Sequence, residues 1–313
     1  MITEQALLQA YQAIYSAQNI AVIPHRSPDG DAIGAALATK LTLQQFGKQI
    51  DIVCVDPAPK NTHFLPHYNQ IIHQLNPEKY QLIMVVDCGS ADMYQFDLSQ
   101  INYPIINIDH HASNTNYGSI NLVDDTAAST TQILYEIFSK WQFPLNTQIA
   151  ECLLTGLYFD TGSFKHNNTS PRVLRAAAAL SKLGANGLRI SKNLFKNNSA
   201  NQLKLWGKIL ENTKRTQKNI ITSAVSNKDY QETHTNSKDL EGVIDYLNTV
   251  PESKFSLLLS EDQKGGIKGS IRTQDESTDL SKIAEVFGGG GHKMASGFRI
   301  QGELKEEKYW SIN

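Results

Sequence analysis

The sequence predicts an α/β protein of two domains, a larger one built on a parallel sheet and a smaller one built from strands and helices. Three observations support this prediction. Four short apolar runs alternate with helix-length segments over residues 1–185, the composition turns basic over 186–218, and a second group of strand and helix patterns fills 219–313. A chain of 313 residues also has the length expected of about two domains.

The first domain, residues 1–185, contains the four apolar runs, which we interpret as buried parallel strands because they are short, continuous and rich in β-branched residues. These runs span residues 19–25, 49–55, 81–87 and 104–109. Residues 30–47 place apolar side chains four apart and end in Gly47, which is typical of a helix that joins the first two strands in a βαβ unit. Segments 129–141 and 147–160 are predicted as further helices that cover the sheet.

The N-terminus and the cysteines narrow the class of protein. Residues 1–18 are predicted as an amphipathic helix rather than a secretion signal, because they carry Glu4 and no basic cluster. No apolar run approaches the roughly 18 residues that span a bilayer, so we predict a soluble, cytoplasmic protein that does not bind membranes. Cys54, Cys88 and Cys152 are widely spaced in apolar runs and are predicted to be buried free thiols.

The charge differs between the two halves of the chain. Residues 1–185 hold 10 Lys and Arg against 15 Asp and Glu, a charge of −5, while residues 186–313 hold 19 against 16, a charge of +3. Segment 186–218 has eight basic residues and one acid, Glu211, and we predict it to be a helical linker. An acidic half suits metal cations and a basic half suits phosphates, whereas a net charge of −2 argues against a long nucleic-acid track. Short anionic ligands are therefore expected.

The second domain, residues 219–313, is predicted to contain three strands and two helices, separated by polar and glycine-containing segments. The predicted strands are residues 219–226, 253–262 and 265–274. The predicted helices are residues 238–248 and 279–287.

Chemically active side chains follow the predicted strands of the first domain, at the point where each strand ends. They are His25, Asp29 and Asp31 after the first strand, Asp87 after the third, and Asp109, His110 and His111 after the fourth. Ligands of open parallel sheets bind in the crevice outside the carboxyl ends of the strands, so these groups are expected to meet there. Asp160 ends another apolar run and can join them.

The five carboxylates in this set imply bound cations. Without cations they would repel one another strongly, and imidazole nitrogens are ligands that transition metals accept more readily than magnesium does. We therefore expect two divalent ions, with manganese as the favoured metal. Asp87 is the candidate for a carboxylate that bridges both ions.

Four segments resemble the phosphoesterase motifs of the DHH family. In chain order they read HRSPDGDAIG, VVDCGS, IDHHASN and LYFDTGSF. Farther on, GSIRT and GGGGHKMASG resemble the DHH-associated domain, so the likeness covers nearly the whole chain. The length and the helix containing LWG are most similar to the branch of bifunctional oligoribonucleases and pAp phosphatases, the nanoRNases. The resemblance implies a parallel-sheet domain, a helical linker and a smaller α/β domain with a mixed sheet, with the active site in the cleft between the domains.

The resemblance also implies which residues bind the metals. The implied ligands are His25, Asp29, Asp31, Asp87, His110 and Asp160. One ion would be held by His25, Asp29 and Asp87, and the other by Asp31, Asp87, His110 and Asp160. Asp109 would orient a histidine, as metal-site imidazoles usually require, and His111 would face the phosphate. For His111 the alternative of a purely structural histidine stays open. His111, Asp109 and Asp87 are thus the candidate catalytic residues.

Substrate binding is expected in the second domain. The family uses its glycine loop for substrate, so the candidates are Arg272, Gly288, Gly289, Gly290, Gly291 and His292. Glycines allow backbone N–H groups to approach a phosphate, and Arg272 and His292 could fix it by charged hydrogen bonds. Read alone, the glycine run could equally be a helix C-cap and a loose turn. Lys293 and Met294 stand where the family more often has an arginine and a small polar residue, and Gln132 stands where an acid is expected. These departures affect substrate preference.

The resemblance implies a two-metal phosphohydrolase that degrades short oligoribonucleotides and pApA-type dinucleotides to mononucleotides and converts pAp to AMP. Long nucleic acids are not expected as partners, and the sequence decides neither the cleavage polarity nor the oligomeric state, for which a homodimer stays one option. Two alternatives remain: a pyrophosphatase or polyphosphatase of the same family, and a catalytically inactive nucleotide-binding regulator. The glycine loop counts against the first alternative, and the full set of implied ligands counts against the second.

Overall fold

The computed structural model describes residues 2–195, 198–262 and 265–305, apart from the side chain of His292. The chain divides into two compact units, Met1–Asn197 and Asn198–Asn313. This division falls inside the segment 186–218, whose assignment as a linker between domains 1–185 and 219–313 stays a prediction. Within the described residues, no helix is both long enough and apolar enough to cross a bilayer.

The first unit contains a six-stranded sheet in which every neighbouring pair of strands is parallel. Its strands are β1 (Asn19–Pro24), β2 (Gln49–Val53), β3 (Ile71–Ile72), β4 (Leu82–Val86), β5 (Ile105–Asp109) and β6 (Ile120–Val123). They lie in the order β3-β2-β1-β4-β5-β6, so that Val22 at the centre pairs with Ile52 on one side and Met84 on the other. The predicted parallel sheet is confirmed, and β3 and β6 are additional edge strands.

Six helices lie within residues 2–195, the described part of the first unit. They are α1 (Glu4–Ser16), α2 (Gly30–Gln44), α3 (Thr130–Lys140), α4 (Thr147–Asp160), α5 (Pro171–Lys182) and α6 (Gly187–Phe195). Single 3₁₀ turns occur at Lys60–Thr62, Tyr68–Gln70, Pro77–Lys79 and Ala91–Met93. Helix α2 is buried along most of its length because it packs both on the central strands and on α4. Such a helix is expected to be apolar on all sides, in contrast to the one-sided pattern of a surface helix.

Helices α2 and α4 cross closely at Gly156. A Cβ atom at this position would lie 2.0 Å from Asp31 Oδ1 and 2.3 Å from Thr131 Oγ1, which is too close for any side chain. The crossing therefore places the first turn of α2, which carries Asp31, directly against α4, whose last residue is Asp160.

The second unit contains a mixed six-stranded sheet in the order β11-β12-β10-β9-β8-β7. Its strands are β7 (Lys214–Arg215), β8 (Ile220–Val225), β9 (Phe255–Glu261), β10 (Gly266–Arg272), β11 (Gly290–His292) and β12 (Ala295–Gln301). Only β8 and β9 pair in parallel among these described strands. The helices are α7 (Ala200–Glu211), α8 (Asn227–Thr233), α9 (Val243–Leu247) and α10 (Leu280–Val286). The mixed sheet expected for this domain is confirmed.

The basic segment 186–218 contributes to both cores. Ile190 of α6 is buried in the core of the first unit, whereas Trp206 and Ile209 of α7 pack with Ile221 in the core of the second unit. Its apolar residues thus anchor each helix to the unit in which it lies.

Two local predictions need correction. The prediction of a single helix over 238–248 is wrong. A 3₁₀ turn at Ser237–Leu240 ends before Gly242, and the separate helix α9 begins after this glycine, whose φ is 86°. A left-handed backbone interrupts a helix, and glycine adopts it without steric cost. The glycine run is only partly a C-cap. Gly288, with φ 71°, follows α10, while Gly290 and Gly291 belong to the edge strand β11 rather than to a loose turn.

Candidate metal centre

His25 and Asp29 lie where β1 leads into α2. The Nδ1 atom of His25 lies 2.7 Å from the Arg26 carbonyl oxygen, which fixes the ring and turns Nε2 towards the acids. That Nε2 atom is 3.8 Å from Asp29 Oδ2. Asp29 is the N-cap of α2, and its Oδ1 accepts hydrogen bonds from the backbone N–H groups of Asp31 and Ala32. Its second oxygen is therefore the one directed at His25.

Asp87 follows β4 and lies between two histidines. Its Oδ2 is 3.6 Å from His25 Nε2, and its Oδ1 is 3.6 Å from His110 Nε2. The Thr130 hydroxyl donates a hydrogen bond of 2.9 Å to Oδ1. The Asp87 backbone has φ 60°, in the left-handed region, and its N–H group donates to the Ile108 carbonyl oxygen of β5. One buried carboxylate thus faces two separate groups of potential ligands.

Asp31, His110 and Asp160 form the second group. Asp31 is fully buried and accepts three hydrogen bonds from the start of α3: from the N–H groups of Thr130 and Thr131, at 2.6 and 3.1 Å, and from the Thr131 hydroxyl at 2.6 Å. His110 Nε2 lies 3.4 Å from Asp160 Oδ2. One potential ligand atom from each of the three side chains lies within 4.8 Å of the others.

Asp109 and His111 form a hydrogen-bonded pair beside these groups. Asp109 is fully buried, and its Oδ1 lies 2.7 Å from His111 Nδ1. Its Oδ2 accepts a hydrogen bond of 2.6 Å from the Asn114 side-chain amide. His111 Nδ1 also lies 3.9 Å from Asp87 Oδ1. Asp109 is therefore directed at His111 and Asn114.

All eight residues singled out in the first domain thus lie in one region. The ligand-like atoms fall into three overlapping groups: His25, Asp29 and Asp87; Asp87, His110 and His111; and Asp31, His110 and Asp160. Three supporting residues, Thr130, Thr131 and Asn114, were not predicted from the sequence. Short polar residues after an Ala-Ala-Ser turn are a signal for a helix N-terminus that could have indicated the two threonines.

The electrostatics of the region favour a bound cation. Burial lowers the pKa of His25, but hydrogen bonds to Asp29 and Asp87 raise it to about 11. The hydrogen bond that His111 donates to the Asp109 carboxylate raises the pKa of His111 to about 9. Burial, together with the charge of neighbouring carboxylates, raises the pKa of Asp31 and Asp160 well above the usual range. The raised pKa values mean that bound protons offset the repulsion between neighbouring carboxylates. A divalent cation bound by carboxylates and imidazoles would offset the same repulsion. The donor set therefore fits such ions.

The predicted substrate residues lie in the second unit. Arg272, at the end of β10, is partly exposed; its Nη1 donates to the Ile271 carbonyl oxygen, and its Nε lies 3.9 Å from Asp245 Oδ1. The glycines 288–291 connect α10 to β12 through β11. The side chain of His292 lies outside the described residues.

Comparison with known proteins identifies both units. The domain described as "DHH family, N-terminal domain" matches residues 19–157, and the DHHA1 domain matches residues 217–309. The solved structure of an exopolyphosphatase-related protein from Bacteroides fragilis has a TM-score of 0.91 at 23% identity, over 97% of this chain and 93% of that chain. At this identity the likeness shows the fold.

Two curated relatives carry the same name, bifunctional oligoribonuclease and PAP phosphatase NrnA. The protein from Thermus thermophilus is 31% identical, over 93% of this chain and 86% of its own length. The protein from Bacillus subtilis is 23% identical, over 88% of this chain and 87% of its own length. Since the first relative matches across both domains at this identity, the chain belongs to the DHH family of metal-dependent phosphoesterases.

Proposed function

We propose that this protein hydrolyses short oligoribonucleotides, including pApA-type dinucleotides, to mononucleotides and removes the 3′-phosphate of pAp to give AMP. The observation that carries the proposal is the position of Asp87 between His25 and His110, which supplies one carboxylate to two ligand groups. Paired metal sites of this kind suit displacement at phosphorus. The substrate class follows the activities for which the relatives from Thermus thermophilus and Bacillus subtilis are named.

The proposed metals are two divalent cations, with Mn²⁺ preferred because imidazoles accompany the carboxylates. His25, Asp29 and Asp87 would hold one ion. The other ion would be held by Asp31, Asp87, His110 and Asp160. When bound, such ions polarise the phosphoryl group and lower the pKa of water.

We assign His111 to the substrate phosphate, with Asp109 as the residue that orients it. The hydrogen bond between them keeps the ring in one orientation, and in the metal-free protein it raises the pKa of His111 to about 9. A protonated ring can stabilise the phosphate charge or give a proton to the leaving oxygen. In the second domain, Arg272, His292 and the glycines 288–291 are proposed to bind a terminal phosphate of the substrate.

The proposed setting is the cytoplasm, with short RNA and adenosine bisphosphate as substrates rather than long nucleic acid. In an assay with Mn²⁺, we expect kcat/KM for pAp, pApA and RNA of two to five nucleotides to exceed that for pyrophosphate and long DNA by at least about 100-fold. Preferred hydrolysis of pyrophosphate would support the pyrophosphatase alternative. Nucleotide binding without turnover of any compound would support the inactive regulator.

The role of Arg272 can be separated from metal chemistry. Because Arg272→Ala leaves every proposed metal ligand intact, its metal content should be normal. Loss of a charged hydrogen bond to phosphate costs about 1.5–3 kcal/mol, so kcat/KM should fall by roughly one to two powers of ten for pAp and short RNA. Bis-p-nitrophenyl phosphate, which lacks a terminal phosphate, should be affected little.

Arg215→Ala is the matched control for this experiment, because Arg215 is an exposed arginine of β7 in the same sheet and its loss removes the same charge. Arg215→Ala should leave kcat/KM for pAp and for bis-p-nitrophenyl phosphate at the wild-type values. Equal losses on pAp and the artificial ester in Arg272→Ala would show that Arg272 has a structural role.

A further inference from the structure

Arg172, in the first turn of α5, makes four hydrogen bonds that connect three segments of the first unit. Its Nε donates to Glu136 Oε1 at 2.6 Å, and its Nη2 donates to Glu136 Oε2 and, at 2.8 Å, to Asp124 Oδ2. Its Nη1 donates to the Thr126 hydroxyl at 3.2 Å. We call these four residues, Arg172, Glu136, Asp124 and Thr126, the Arg172 clamp. A planar guanidinium holds such partners in a fixed geometry.

The clamp fixes the loop between β6 and α3. Asp124 is buried, its N–H group donates to the Asp109 carbonyl oxygen at 3.1 Å, and its Oδ1 accepts from Thr126. Burial would raise the pKa of Asp124, but hydrogen bonds from Thr126 and Arg172 lower it, so the carboxylate is held in its charged form. The loop is thus tied at one end to Asp109, which in turn contacts His111.

The other end of the loop is closed by Gln132. Its Oε1 accepts from the Ala128 N–H group at 2.8 Å, and its N–H group donates to Ser129 Oγ, the N-cap of α3. Its Nε2 donates to Glu136 Oε1 at 3.1 Å, which joins this cap to the clamp. An acid at position 132, which the family resemblance led us to expect, lacks that donor and would face the Glu136 carboxylate. A neutral amide therefore fits this position.

The first two residues of α3, Thr130 and Thr131, donate hydrogen bonds to carboxylates of the candidate metal centre. They supply three hydrogen bonds to Asp31 and one to Asp87, and these two acids belong to different ligand groups. A shift of the α3 N-terminus would move both carboxylates together. We propose that Arg172 is a positioning residue for the metal centre, acting through the loop and the α3 N-terminus on Asp31 and Asp87; this inference rests on the proposed two-metal function.

The test is the affinity of the protein for Mn²⁺, measured by calorimetric titration of the chelator-treated, full-length protein without substrate. Partners that orient metal ligands typically contribute 10- to 100-fold in metal affinity, so Arg172→Ala should bind Mn²⁺ about 10- to 100-fold more weakly. Its kcat on bis-p-nitrophenyl phosphate should recover towards the wild-type value at saturating Mn²⁺. Arg172→Lys keeps the positive charge but loses the planar guanidinium that bonds several partners at once, so its Mn²⁺ affinity should lie between those of the wild type and Arg172→Ala.

Two further variants complete the design. Arg175→Ala removes the same charge from an exposed position one turn along α5 and should leave Mn²⁺ affinity unchanged. Glu136→Gln weakens the clamp from its other side, so it should lower Mn²⁺ affinity in the same direction and act non-additively with Arg172→Ala. If Arg172→Ala does not fold, Arg172→Lys and Glu136→Gln provide the same comparison.

A purely structural role gives a different result. Arg172→Ala would then lower the melting temperature of the metal-free protein while Mn²⁺ affinity and kcat stay at the wild-type values, and the proposal would be overturned. Failure of the wild-type protein to bind Mn²⁺ would overturn both this proposal and the two-metal assignment. Wild-type protein that binds Mn²⁺ but cleaves no oligoribonucleotide would contradict the proposed function alone, and the affinity comparison would still decide the role of Arg172.

Discussion

Replacing Asp87 by alanine is expected to lower kcat by about 10³-fold or more on every substrate, because the change removes a carboxylate that faces both His25 and His110. A metal ion contributes several kcal/mol to stabilising a phosphoryl transition state, and each 1.36 kcal/mol is a factor of ten. The remaining acids would also repel one another more strongly around the position that Asp87 leaves. Bound Mn²⁺, measured by elemental analysis after gel filtration, should fall in parallel with turnover.

Two variants distinguish this effect from a general loss of structure. Asp87→Asn keeps the volume and the acceptor for the Thr130 hydroxyl but removes the charge, so it should fold and still lose activity. Asp97→Ala removes an exposed acid between β4 and β5 and should behave like the wild type. Wild-type turnover in Asp87→Ala, with unchanged metal content, would reject the assignment of the site.

Removal of metal is the second change with a large expected effect. Activity should disappear in chelator and return on addition of Mn²⁺, to a higher level than with Mg²⁺. Mn²⁺ at 100 times its dissociation constant should add about 2.7 kcal/mol per site to the free energy of unfolding, which is a rise of roughly 5–10 °C in melting temperature for a domain of this size. Calorimetric scans with and without Mn²⁺ measure this shift.

The shift should also depend on pH, in a direction that follows from the histidines. The pKa of His25 is raised to about 11 and that of His111 to about 9, so the metal-free folded protein binds more protons than the unfolded chain above pH 6.5. Their contribution to the stability of the metal-free protein is therefore present below pH 6.5 and is lost as the pH rises towards those values. Metal ligands must be deprotonated, so the increase in melting temperature with Mn²⁺ should be larger at pH 8 than at pH 6. Full activity in chelator would contradict the metal assignment, as would an Mn²⁺-dependent rise in melting temperature that becomes smaller as the pH increases from 6 to 8.

The sequence predicted the central strands and the residues at their ends because both depend on local pattern. Residues 82–86, for example, are apolar over the whole length of β4, and a parallel sheet brings the ends of its strands together wherever they lie in the chain. The two-residue strand β3 and the partly exposed β6 carry too little pattern to be recognised. The prediction of one helix over 238–248 was wrong because Gly242 interrupts it, and the spacing of apolar residues does not reveal such an interruption.

The supporting residues of the site could not be predicted in the same way. Thr130 and Thr131 reach Asp31 across about 100 positions of sequence, and Arg172 reaches Asp124 across 48. Such contacts depend on how helices pack, and a threonine or an arginine at a helix start has many ordinary roles. The local sequence therefore indicates which side chains could bind metal, while the tertiary structure shows what holds them.

The absence of a side chain at Gly156 determines which substitutions this position can tolerate. A Cβ atom there would overlap Asp31 Oδ1 and Thr131 Oγ1, the first a potential metal ligand and the second its hydrogen-bond donor. Even alanine at position 156 would therefore have to displace a side chain of the candidate metal centre. A residue that offers no ligand atom is thereby constrained in size by the site beside it.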